Sequence, residues 1–221
     1  LATTQRTGLA SDVIKAMKDL ESESAVQVAA CSAIWRLTTP TGSKPGAKQP
    51  RSKADSRHKA VQELAAADAH MLVLSAMRTH SAEPAVQAEG CHALRALLVA
   101  HQEIAQATDI ADKIVDEDGL QTIISAMQAH KMVPDVPGWA CGVLISLLTT
   151  ANAANAFKVA QSGVVAEILK AMHAHPTSLL TQEHGSEYCE CLLLLFGDLI
   201  IQGERDDADD GTIQDALNRV V

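Results

Sequence analysis

Aromatic side chains are scarce. Two Trp, one Tyr and two Phe make up 2% of the 221 residues, so the core has to be filled by Leu, Ile, Val, Ala and Met at the close spacing of packed helices. Nothing argues for a sheet, and with 47% hydrophobic residues the chain is long enough to bury a sizeable core. Basic charge is also in deficit: 18 Lys and Arg stand against 27 Asp and Glu, a formal net charge of -9. That balance disfavours nonspecific attraction to phosphate backbones, so no nucleic acid partner is expected. Long apolar runs are missing too. Residues 136–157 carry no charge but contain Gly, Ser, Thr and Asn, and residues 192–201 are few and hold Asp198, which predicts no membrane insertion.

Recognisable chemistry is absent as well. Gly185-Ser186 lacks the G-x-S-x-G frame, no phosphate-cradling glycine loop occurs, and no carboxylate pair stands in an acid–base context, so no catalytic residue, cofactor or enzyme activity is predicted. The most metal-like grouping, His173, His175, His184, Cys189 and Cys191, does not follow the short C-x2-4-C and H-x3-5-H spacing of zinc sites, and no metal is expected. Five cysteines do not read as a disulfide framework. Four of them fall on an apolar helix face, where Cys behaves as a small hydrophobe, and a reducing, intracellular compartment follows, cytoplasmic or organellar.

What the chain does have is repetition. An Ala-Met pair on one predicted helix is followed by a Cys on the next: Ala16-Met17 with Cys31, Ala76-Met77 with Cys91, Ala126-Met127 with Cys141, and Ala171-Met172 with Cys189. The offset from Met to Cys is 14 in the first three copies and 17 in the fourth. Successive Met residues lie 60, 50 and 45 apart, the spacing of helical repeats with insertions of differing length. Residues 7, 4 and 3 before each Met, such as Leu120, Ile123 and Ile124, and residues 2, 3 and 6 after each Cys, such as Ala93, Leu94 and Leu97, are apolar with the single exception of His70. Each copy therefore carries two amphipathic helices. Val26, Val86 and Val136 stand five before the Cys, where the fourth copy has His184, leaving that copy's register open. His80, His130 and His175 each follow the Met by three, where an imidazole near a helix carboxyl end can meet unpaired carbonyls.

The stretches GLQTIISAMQAH, GVVAEILKAMHAHP, AVQAEGCHALRALL and AVQVAACSAIWRLT resemble the armadillo family over residues 8 to 200. The resemblance implies an all-α fold, a right-handed α-solenoid of about four armadillo-type three-helix repeats in a single domain, approximately 8–39, 58–100, 103–150 and 153–200. It implies a noncatalytic protein–protein interaction module, an adaptor or scaffold whose third helices line a concave groove that takes a protein partner. Family members that hold extended peptides often place Trp just after the Cys-equivalent position and Asn four residues later. The corresponding pairs here are Ser32 and Arg36, His92 and Ala96, Gly142 and Ser146, and Glu190 and Leu194. That ladder is absent, so the groove is expected to admit a partner helix or protein surface, with Arg36, His92 and Glu190 as polar contacts. Trp35 and Trp139 lie out of the ladder register and read as packing or edge residues.

Residues 40–57 carry three Pro, two Gly and several Lys and Arg and read as a basic surface loop, a solvated insertion or a docking tail for an acidic partner. Residues 58–67, 103–115 and 153–161 supply the short first helices of the later copies. Gly119 and Gly163 are expected where the chain turns sharply into the next helix. Residues 204–210 form an acidic loop, and Ile213, Ala216, Leu217 and Val220 predict a terminal helix. The chain starts at Leu1 without a targeting pattern, as expected of a piece cut from a longer protein or one that has lost a leader. Two further functions remain open: a structural accessory subunit of a large complex, organellar or cytoplasmic, and a regulatory domain of a longer multidomain enzyme.

Overall fold

The computed structural model describes residues 2–40, 51–105 and 109–205, and these residues are all-helical, without a strand. Eleven helices follow one another: α1 (Ala2–Asp19), α2 (Ser24–Thr38), α3 (Arg51–Ala66), α4 (Ala69–Thr79), α5 (Pro84–Ala105), α6 (Asp109–Asp116), α7 (Gly119–Ala129), α8 (Asp135–Thr150), α9 (Ala153–Gln161), α10 (Val164–Ala174) and α11 (Leu179–Arg205). From α3 onward they fall into triplets of a first helix, an 11-residue second helix and a longer third one. In the first copy the leading segment and the second helix form one continuous helix, α1. No described helix is long and apolar enough to cross a membrane.

Two boundaries differ from the sequence reading. The helix expected from His58 begins at Arg51, directly after Pro50, because a proline ring cannot continue a helix on its amino side but is tolerated at its start. The basic insertion is thus helical over 51–57, and its residues 41–50 lie outside the described residues. The third helix of the second copy runs to Ala105, taking residues 103–105 that the sequence assigned to the next helix. Of the acidic loop and terminal helix expected over 204–221, residues 204 and 205 close α11, and the rest lie outside the described residues.

Each first helix turns into its second through one left-handed residue, nine before the Met: Asp68 (φ 50°), Asp118 (φ 59°) and Gly163 (φ 75°). Gly163 fills the role expected of it. Gly119 does not; the left-handed residue is its neighbour Asp118, one of the residue types that tolerates this region. Gly119 is instead required by a close approach, since a Cβ there would lie 2.5 Å from the Ile114 carbonyl oxygen and 2.7 Å from its Cγ2.

Second and third helices are pinned together by a repeated side chain. The amide of Gln27, ten residues after Met17, donates to the Met17 carbonyl (3.2 Å) and the Leu20 carbonyl (2.8 Å). Gln87 does the same to Met77 and His80 (both 2.9 Å), and Gln182 to Met172 (2.7 Å) and His175 (3.1 Å). One amide thereby satisfies two of the carbonyls that the second helix leaves open at its end. Pro137 holds this position in the third copy.

These bonds fix the register of the fourth copy. Fourteen residues after Met172 stands Ser186, so Ser186 and not Cys189 is equivalent to Cys31, Cys91 and Cys141. The glycine before it agrees: a Cβ at Gly185 would lie 2.6 Å from Met172 Sδ, as one at Gly90 would lie 2.9 Å from Met77 Sδ. The apolar positions agree as well: Tyr188 and Leu192 stand two and six residues after Ser186 and are buried, while Ser186 itself is exposed where Cys31, Cys91 and Cys141 are buried. The sequence landmark was one helical turn late.

The third helices pack in sequence, α2 on α5, α5 on α8 and α8 on α11, and the second helices follow suit, α4 on α7 and α7 on α10. Helix α8 is buried on nearly every side, from Val136 through Leu148 except for the half-exposed Trp139. That explains why its sequence is apolar all round and not in a stripe. Successive units are also tied by the repeat histidines. The Nε2–H of His80 donates to the Glu21 carbonyl (2.8 Å), that of His130 to Ser81 (2.7 Å) and that of His175 to Lys131 (2.7 Å). Each imidazole does meet a carbonyl beyond a helix end, but that of the preceding unit, four residues after its Met.

Candidate interaction face

Helices α2, α5, α8 and α11 present one ring each toward the next. The Trp35 and His92 rings stack with centroids 4.6 Å apart and planes 20° from parallel. His92 and Trp139 stack at 3.6 Å and 9°, and Trp139 meets His184 at 5.7 Å in a tilted contact of 53°. His184 is oriented by its own Nδ1–H, which donates to the Gly138 carbonyl (2.8 Å). Beyond the first ring, the Arg36 guanidinium carbon sits 5.3 Å from the Trp35 ring centroid, within cation–π range.

The rings do not occupy equal positions in their copies. Counted from the repeat Met, Trp35 stands at 18, His92 at 15, and Trp139 and His184 at 12. The other contacts across this layer slip in the same direction: the Ser32 hydroxyl (15) donates to Glu89 (12) at 2.8 Å, and Arg95 (18) lies over Gly142 (15). Neighbouring third helices are therefore displaced by three residues, about 4.5 Å along the axis. The last ring pair keeps equal positions instead, and there the stack opens into a tilt. This slip is why Trp35 and Trp139 looked out of register in the sequence.

The expected groove residues fall into different environments. Ser32 is half-buried and held by Glu89, and Arg36 is exposed. His92 is the centre of the ring stack. Ala96 lines, with His92, a cavity of about 190 Å³. Gly142 is buried beneath Arg95, because a Cβ there would lie 2.6 Å from Arg95 Cδ and 3.0 Å from His184 Nδ1. Ser146 is 5% exposed and spends its hydroxyl on the Gly142 carbonyl of its own helix (3.1 Å), so neither Gly142 nor Ser146 offers a polar group to a partner. Glu190 and Leu194 are exposed on α11, with the register of that copy moved by one turn.

The electrostatics of the face follow from burial. Desolvation brings the His92 pKa down to about 4, Glu89 opposes it, and Arg95 and His184 push it further down, so the ring is neutral at pH 7. The thiols of Cys31 and Cys141 are pushed up to about 12 by burial, with Glu89 adding at the first and Cys189 at the second. Cys91 is raised further still, again by desolvation and then by its neighbours Cys141 and Cys31. All five cysteines are free. Such thiols are packing groups and not nucleophiles. Among the described residues no cluster of three or more His, Cys, Asp or Glu could hold a metal ion; His175 and His184 are committed to the carbonyls of Lys131 and Gly138.

Arg95 and His184 were not reached as contact residues from sequence, Trp139 was read as a packing or edge residue, and Arg57 entered only as part of the basic insertion. The only signals were the two Trp and the spacing of His, and these become coherent only when the three-residue slip is applied. Compared with known proteins, the chain matches no family model, no curated protein and no solved structure.

Proposed function

We propose that the chain is a noncatalytic protein-interaction module, an armadillo-like right-handed α-solenoid acting as an adaptor or scaffold in a reducing compartment through the face formed by α2, α5, α8 and α11. The observation that carries this reading is the ring stack Trp35–His92–Trp139–His184. It gives three successive helices half-exposed rings, Trp35, His92 and Trp139, backed by the buried His184 and bordered by the exposed Arg36, and aromatic and Arg side chains are the types that dominate interface energetics.

Gel filtration of the native protein from its source extract, with mass spectrometry of co-eluting proteins, tests this. A defined partner set that is lost when Arg36→Glu and Leu194→Asp are introduced, and retained with Lys131→Glu, supports the assignment; survival in the first two variants would sink it. A second reading, a fixed accessory subunit of a large complex, is favoured by α11, where Leu179, Leu193 and Leu194 are 78%, 73% and 64% exposed. Exposed apolar patches of this kind mark contact surfaces, and stable co-elution in one large species distinguishes the two.

A further inference from the structure

The cavity that His92 and Ala96 line is closed by Thr38, Thr39 and Pro40 at the end of α2, by Arg57 on α3, and by Arg95, Val99 and Glu103 on α5. Its two arginines differ. Arg57 is committed, with one guanidinium nitrogen 2.7 Å from Glu103 and another donating to the Thr38 carbonyl. Arg95 makes no hydrogen bond or ion pair with any described residue, and its Nε is buried without a partner. The stem of Arg95 is held in place because α8 has glycine at 142, beneath its Cδ and Nε. With its Nε packed against Gly142 and no acceptor among the described residues, the half-buried Arg95 brings an unpaired guanidinium to the cavity wall, and a planar carboxylate is the group that best matches it.

We propose that this cavity is a carboxylate-binding pocket for an acidic side chain, Asp or Glu, on the partner protein, with Arg95 as the receptor; this deepens the interaction reading and rests on it. The volume of about 190 Å³ admits one side chain. Ala96, Val99 and Pro40 offer apolar wall to its methylene stem. Glu103 in the same wall disfavours a doubly charged phosphate. His92 contributes no charge at neutral pH and carries the event to the ring stack.

The chain's two tryptophans, Trp35 and Trp139, flank His92, so intrinsic fluorescence reports on the pocket. A capped hexaglutamate peptide titrated into the full chain at low ionic strength is expected to give a saturable change, and capped hexaglutamine none. Arg95→Gln should weaken the peptide by at least about 10-fold, the loss expected for a charge-assisted pair, while leaving the circular dichroism and melting temperature in place. Arg95→Lys keeps the charge and stem but not the fork; it serves as a second variant that should also weaken binding, whether or not Arg95→Gln folds. No response to hexaglutamate, or equal affinity in wild type and both variants, would overturn the pocket. So would inorganic phosphate or acetate binding as tightly as the peptide, which would assign it to a small anion. The titration needs no native partner, so a negative result leaves the co-elution test of the interaction reading untouched.

Discussion

His92 is held face to face between two indoles, and its depressed pKa makes the stack sensitive to acid. The folded value, about 4, lies below the unfolded value of about 6.5. Between the two the unfolded chain binds more protons, so stability rises with pH through this window and is lost as pH falls from about 6.5 toward 4. Because the ring is partly exposed, the full shift is discounted by solvent screening. We expect about 1 kcal/mol less stability at pH 5 than at pH 7 from this residue, read from urea midpoints, and expect His92→Phe, which stacks without titrating, to remove that component. At the same scale, Cys31, Cys91 and Cys141 should resist iodoacetamide at pH 8 in the native protein and react in urea, as counted by mass spectrometry. Gly163→Ala isolates a backbone effect, since no atom lies within 4 Å of the added Cβ. It should cost about 1 kcal/mol from the left-handed conformation alone.

The helices divide into those the sequence described well and those it misplaced, and the reason is physical. The second helices were legible because a one-sided apolar face has a period; Met77, Val73 and Leu74 are buried as the pattern required. Helix α8 was legible as a helix, but its burial on nearly every side depends on neighbours that approach from several directions. Leu144→Ala should therefore be among the most damaging core truncations, about 2–5 kcal/mol, measured by chemical denaturation. The fourth copy was misregistered because Cys189 lies one turn beyond Ser186, so both point toward the same side of α11, and the Gln182 bonds and the close approach of Gly185 to Met172 separate them. Removing such a pin leaves two carbonyls without their donor, and Gln87→Ala should cost about 2 kcal/mol. Gln182→Ala should cost less, because Gln182 is only half-buried and water can replace its amide.

For the molecule as a whole, the order of units and the two main helices of each could be read from the spacing of Met and Cys, while the short first helix entered through the family resemblance. The contacts between units could not. Periodicity within one helix says which face is buried, but the axial slip between adjacent helices is set by side-chain interlocking across the interface, which no single copy encodes. The expected ladder compared Ser32, His92 and Gly142, which share a position and do not face each other. The actual neighbours are Ser32 with Glu89 and Arg95 with Gly142. The histidine ties act at this scale too. Replacing His80, His130 and His175 together by Ala should lower the unfolding free energy, read from urea denaturation, by about 1–3 kcal/mol while leaving the helical circular dichroism of the folded state unchanged.

The three-residue slip also governs how such a chain can change over time. A substitution at one interface position is felt in the next unit three places nearer that unit's Met, so compensating pairs will be found on a diagonal when the copies are aligned, as 18 with 15 and 15 with 12. A larger residue at Gly142 would call for a smaller one at Arg95, not at His92. Covariation searched along columns of equivalent positions would miss this coupling, and searched along the diagonal would follow the ring stack from Trp35 through His92 to Trp139.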